Sequence, residues 1–300
     1  MPAGNEFVDR VVEAQRAKQS LAVLGIDPQL DAPDAPGVPR GYTLARFCCE
    51  IVEACAPHVI AVKPQLAFFE ARGLDGLRAL AEVIAAARRC GLVTIADAKR
   101  GDIGSTSAAY AQAFLGGGEF GCDAATVNPY LGSDAIMPFL ARVRAGRGLF
   151  VLVKTSNPSS GEFQDLEIVG GGKLWERVAG RVNGWGSEFI AAAGLSPIGA
   201  VVGATYPDHA RRARSLMPRA IILMPGYGAQ GASADDAVAG AREDGLGVIV
   251  NASRSLMYAY TKETGASPGA AASKAAAAMR RALNDSLRRR TKQSGAVGTG

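Results

Sequence analysis

The chain has 300 residues, 48% of them hydrophobic and 20% charged, which is enough to bury a large core and too apolar for disorder over most of its length. Its formal net charge of +5 invites a nucleic-acid or anionic-membrane reading, but the excess is local: Arg280, Arg281, Arg288, Arg289, Arg290 and Lys292 near the C-terminus face one acid, Asp285, and everything before them is neutral. Aromatic residues make up only 6% of the chain, too few to interleave a basic face, so no nucleic-acid partner is expected.

The opening stretch MPAGNEFVDRVVEAQRAKQ lacks an apolar core of signal-peptide length. No apolar run approaches the roughly eighteen residues of a membrane span, so no membrane partner is expected and the protein reads as cytoplasmic. Short β-branched runs then recur, each followed by a polar or glycine-containing turn and a stretch of helical composition. The predicted strands are LAVLGID (21–27), HVIAVKP (58–64), LVTIADAK (92–99), CDAATVN (122–128), LFVLVKT (149–155), PIGAVVGAT (197–205), AIILMPG (220–226) and LGVIVNAS (246–253). Their unbroken hydrophobicity argues for burial on both faces, as in a parallel sheet. Helices are expected over 44–56, 74–90, 105–115, 133–144, 173–194, 208–216, 234–244 and 270–290.

Eight βα units of this size predict a single-domain (β/α)₈ TIM barrel over residues 1–283, followed by a basic tail, 284–300, expected to fray. A doubly wound open sheet would need a glycine signature directly after a strand. Gly116, Gly118 and Gly121 do spell GxGxxG, but they follow a helix and precede a strand, the reverse of the order that aims helix amides at a pyrophosphate. The five cysteines (Cys48, Cys49, Cys55, Cys90, Cys122) are odd in number, form no CxxC pair and have a single histidine near them, His58, which fits neither a disulfide framework nor structural zinc.

In such a barrel the chemistry gathers where strands end. Five of the eight runs end in charge: Asp27, Lys63, Asp97 with Lys99, Lys154, and Arg254 just past the last strand. A single charge of this kind is routinely a snorkelling lysine or a helix-capping aspartate, but five together mark a site. Within DAKRGDI, strand alternation turns Asp97 and Lys99 to one face and leaves Asp102 on the following turn. With Lys63 these form two ammoniums and two carboxylates, a net-neutral set in which each charge supports its neighbours in a partly dry pocket. The two histidines, His58 and His209, fall away from strand ends, so acid–base work passes to lysine and aspartate. MPGYGAQG (224–231) and NASRS (251–255) follow the last two strands, the usual place for a phosphate held by backbone amides and an arginine. A phosphorylated substrate is therefore expected.

With these residues in view, the chain resembles the orotidine 5'-phosphate decarboxylases, in the longer bacterial form often called type 2. The resemblance runs from Asp27 to about Tyr258 and is carried in order by LGIDPQ, VKPQ, DAKRGDIGST, VNPYLG, VKTSNPSS, VVGAT, MPGYGAQG and NASRS. A lone DxKxxD would not separate it from metal-dependent sugar-phosphate lyases of the same superfamily, in which Asp27 and Asp97 would hold magnesium. The whole ordered set does.

The resemblance implies a Lys63–Asp97–Lys99–Asp102 tetrad, with Lys99 as proton donor and Asp97 beside the departing carboxylate. Asp102 would reach into a partner's site, making the enzyme a homodimer. It further implies that Asp27 and Thr106 bind the ribose hydroxyls and that Ser156 faces the pyrimidine edge. Gln230, Ser253 and Arg254 would hold the phosphate. Orotidine 5'-phosphate would be converted to UMP and carbon dioxide with no cofactor and no metal. The segment 156–172 is the expected lid.

Overall fold

The computed structural model describes residues 5–29, 37–228 and 231–297. All eight expected strands form: β1 (Ala22–Ile26), β2 (Ala61–Pro64), β3 (Val93–Arg100), β4 (Ala124–Val127), β5 (Gly148–Lys154), β6 (Ser196–Val202), β7 (Ala220–Pro225) and β8 (Val248–Ala252). Each pairs in parallel with the next, and β8 returns to β1 through Val23↔Asn251 and Leu24↔Ala252, closing the barrel. Closure leaves no edge, so short apolar strands persist without the protection that an exposed edge would require.

The surrounding helices are α2 (Leu44–Cys55), a short α3 (Leu66–Glu70), α4 (Gly73–Arg89), α5 (Gly104–Leu115), α6 (Ser133–Arg144), a one-turn α7 (Gly161–Gln164), α8 (Leu174–Gly186), α9 (Pro207–Leu216), one-turn α10 (Ala234–Ala237) and α11 (Arg254–Met257), and α12 (Pro268–Val297). One apolar layer, with Phe47, Ile51, Phe69, Ile84, Phe139 and Met224 fully buried, lies between strands and helices. A second fills the barrel itself.

That inner layer is completed by a helix the strand pattern does not announce, α1 (Glu6–Lys18). Asn5 caps it by accepting from the Val8 amide, and Phe7, Val8, Val11 and Val12 form one apolar face at helical spacing. The face closes the amino-terminal end of the barrel. Phe7 meets Phe150 edge to face with ring centroids 5.9 Å apart, and Gln15 donates to the Val248 carbonyl at 2.9 Å, both at strand beginnings. With that end plugged, the cavity opens at the carboxyl ends of the strands.

Three elements depart from the sequence expectation. The helix expected over 173–194 stops at Gly186, where a Cβ would lie 2.3 Å from Ser196 Oγ, and Ser187 Oγ donates to the Gly184 carbonyl at 2.8 Å. The glycines that bring it so close to β6 also end it. The helix expected over 234–244 is the single turn of α10, because Gly240 is drawn against Ile222 and the Ala210 carbonyl. Finally, α12 runs on to Val297 with no break at 284. Asn284 donates to the Gln19 carbonyl at 2.6 Å, Arg289 pairs with Asp235 at 2.7 Å, and Arg290 donates to the Val238 and Ala241 carbonyls. Arg289 and Arg290, expected in a fraying tail, are instead held by the Asp235 side chain of α10 and by carbonyls just after it, while Arg288 pairs with Asp285 on its own helix.

Candidate active site

A cavity of about 520 Å³ opens at the carboxyl ends of the strands, within the range of small-molecule sites. Its centre is Asp97 on β3. The residue is only 5% exposed, and its carboxylate is engaged on both oxygens. Oδ2 accepts from Lys63 Nζ and, at 3.1 Å, from Gln65 Nε2; Oδ1 accepts from Lys99 Nζ at 2.5 Å and Thr126 Oγ1 at 3.0 Å. Burial alone would raise the Asp97 carboxyl, but Lys63 and Lys99 outweigh it and hold the group well below the usual carboxylate range. Lys63, 4% exposed, tells the same story from the other partner. Burial would discharge it, yet Asp97 and Asp27 raise it above the ordinary lysine value.

Lys99 reaches this carboxylate by an irregular route. Ala96 pairs with Ala125, and the next pairing is Arg100 with Val127, so β3 carries extra residues against β4. Lys99 takes up the excess in the left-handed region at φ 49, where a side chain costs about 1–2 kcal/mol. Its amide donates to Thr126 Oγ1 at 2.9 Å, so one threonine holds both the strained backbone and the carboxylate opposite. A lysine kept in a strained conformation, half-exposed to the cavity and salt-bridged at its terminal ammonium, is poised for a role other than packing.

Around this centre the cavity takes in Asp27, Ser156, Ser253 and Arg254, all expected from the sequence. Asp27 keeps one buried oxygen, Oδ1, without a partner. Ser156 sits over Gly203, where a Cβ would come within 2.8 Å of the serine Cβ, which is the reason for glycine in VVGAT. Arg254 opens α11 with its side chain exposed at the rim. Gln230 lies outside the described residues. Asp102 and Thr106 do not line the cavity of their own chain: Asp102 accepts from the Ile103 amide at 2.7 Å, and Thr106 is exposed on α5.

Lys154, a strand-ending charge, is buried but turned away from the cavity. It donates to Asp165 at 2.8 Å and Ser160 at 3.2 Å, tethering the segment after β5, and Lys173 joins Asp165 at 3.5 Å. Gln164 of the same segment bonds the Thr155 amide and hydroxyl at 2.9 and 2.8 Å and lines the cavity. Gln65, Thr126 and Gln164 also line it, though the sequence pattern marks none of them as site residues, and so does Asn251, the first residue of the NASRS segment that ends β8. Gln65 carried a usable signal, standing two residues after Lys63 and so on the same strand face; Thr126 showed only as a polar residue inside an apolar run. Neither histidine lines the cavity, and among the described residues no three His, Cys, Asp or Glu side chains gather as a metal-holding group.

The model of the Orotidine 5'-phosphate decarboxylase / HUMPS family matches residues 23–267. A Rhodopirellula baltica orotidine 5'-phosphate decarboxylase is 45% identical over 261 residues, covering 81% of this chain and 85% of its own. One from Deinococcus radiodurans is 44% identical over 283 residues, covering 94% and 98%. Among solved structures, a Toxoplasma gondii chain superposes with a TM-score of 0.83 at 34% identity, covering 97% of this chain and 99% of that one. The Leishmania donovani OMP decarboxylase does so with a TM-score of 0.74, also at 34% identity, over 93% and 99%.

Proposed function

The chain belongs to the orotidine 5'-phosphate decarboxylase / HUMPS family, and on that premise we propose how its own side chains carry the reaction. It is a carboxy-lyase of pyrimidine biosynthesis that converts orotidine 5'-phosphate to UMP and carbon dioxide. The bond from C6 of the orotate ring to the carboxyl carbon breaks, its electron pair stays on C6, and the Lys99 ammonium delivers the proton that completes UMP. The resulting neutral amine is reprotonated from solvent.

The observation that carries this reading is the buried Asp97 carboxylate, saturated by donors and flanked by two lysines. Fixed charges in a water-poor site stabilise a developing carbanion without reorganising when it forms. Asp97 cannot relax away from an incoming substrate carboxylate, because its four donors hold it. A divalent cation on Asp97 would have to displace those ammoniums, so the residues favour chemistry by lysine. Arg254 and Ser253, with Gln230, hold the phosphate, Ser156 faces the pyrimidine edge and Asp27 takes a ribose hydroxyl. Remote binding at the phosphate supplies energy for closing the 156–172 segment over the ring.

Asp102 and Thr106 complete the site of a second copy, so the working unit is a homodimer. The exposed apolar side chains Ile103, Tyr130, Leu131 and Met137, on the two loops and helix beside Asp102, support such a surface. None of the described helices is long and apolar enough to cross a membrane, and a biosynthetic enzyme of this kind belongs in the cytoplasm. The test is UMP formation, followed by loss of orotate absorbance, from protein dialysed against a chelator. Mixing Lys99→Ala with Asp102→Ala then restores partial activity if sites are shared; a mixture as inactive as its parts rules the shared site out.

A further inference from the structure

Asn251 stands on β8, facing inward with Ser253, and pairs with Val23 of β1 on one side and Pro225 of β7 on the other. It is 6% exposed and lines the cavity, yet its Oδ1 has no hydrogen-bond partner. Nδ2 donates to Ser253 Oγ at 3.3 Å, which ties one end of the amide and leaves the other buried in the cavity wall without a partner. Buried polar atoms in native proteins are nearly always satisfied, so an unsatisfied one in a binding cavity waits for a ligand.

The chain also preserves the space this amide occupies. At Gly25, on the neighbouring strand, a Cβ would lie 2.0 Å from Ser253 Oγ and 2.9 and 3.0 Å from the two amide atoms of Asn251. Two residues on is Asp27, whose Oδ1 is the other orphaned oxygen of this wall.

We propose that Asn251 is a substrate-recognition residue whose side-chain oxygen accepts a hydrogen bond from a sugar hydroxyl of the bound nucleotide, beside Asp27. This rests on the decarboxylase reading above. An amide oxygen needs a proton to accept, and a phosphate dianion offers none. The ring is held across the mouth between Lys99 and Ser156. The sugar lies between ring and phosphate, and Asn251 lies between Asp27 and the strand end that presents Arg254.

The experiment compares Asn251→Leu and Asn251→Ala with the unaltered protein on orotidine 5'-phosphate and its 2'-deoxy and 3'-deoxy analogues. On the full substrate kcat/KM is expected to fall about 10- to 100-fold, mostly through KM. On the analogue lacking the contacted hydroxyl the same substitution should cost less than about threefold, because the partner is already gone. An equal loss on all three substrates, or none on the full one, overturns the proposal. Circular dichroism checks folding, and Asn251→Ala, which removes the amide without adding bulk, serves if leucine is not accommodated. Failure of the unaltered protein to release carbon dioxide would instead strike the decarboxylase reading.

Discussion

On the β2–β4 side of the barrel mouth the Asp97 carboxylate is already engaged by Lys63, Gln65, Lys99 and Thr126. On the β8–β1 side, Asp27 and Asn251 each keep a buried oxygen with no partner. The two sides serve different ends. Charges that stabilise a transition state act best when the protein fixes them before substrate arrives, whereas groups that recognise a ligand must leave their hydrogen bonds for it. A site finished on one side and open on the other is preorganised for chemistry and selective through binding.

The comparison can be broken most decisively at Lys99. Lys99→Ala removes the proposed proton donor and one fixed charge, so turnover should fall by about 10⁴-fold or more with the fold intact by circular dichroism. Full activity would move the chemistry off the finished side.

Asp97→Asn leaves the buried Lys63 without its salt-bridge partner, with only Asp27 as counter-charge, and chemical denaturation should show a loss of about 3–5 kcal/mol. The pH dependence follows from the same pair. Because the folded Asp97 carboxyl lies below its ordinary 3.8, its contribution is present above that pH and is lost as pH falls toward the folded value. Lys63 is raised above 10.5, so its contribution is complete below that pH and is lost as pH rises through the folded value. Melting across pH should therefore show weakening below about pH 4 and above about pH 10.5. Both losses should shrink in the variant.

On the open side, Gly25→Ala pushes a methyl into Ser253 and Asn251 and should raise KM about tenfold while destabilising by only about 1–3 kcal/mol. Steady-state kinetics beside a melt separates the two. The smallest effect belongs to Lys173→Ala: Asp165 retains the buried Lys154, and Lys173 is a half-exposed partner, so stability should change by less than about 1 kcal/mol.

Much of this was legible before folding. The eight strands, the gathering of Asp27, Lys63, Asp97, Lys99 and Arg254 at one end, and the glycine-rich loops all follow from local pattern. Other features were not. Asp97 and Lys99 do face one cavity, as alternation predicts, but the chain gets there through a bulge and a left-handed lysine that alternation does not contain. Lys154 ends its strand in charge like the others, yet it anchors a loop rather than the site. The apolar face of α1 could be read from its spacing, but not that it would plug the barrel floor.

The amino-acid sequence by itself determined the alternation of strand and helix, and with it the barrel, because burial on both faces imposes a residue type at each position. It also determined the inventory of lysines, aspartates and glycines at the strand ends. Only the tertiary structure decided which of them meet. Thr126 with Asp97, Gln65 with the same carboxylate, and Asn251 against Gly25 depend on the register between strands, and register is set when the barrel closes from β8 to β1, across most of the chain.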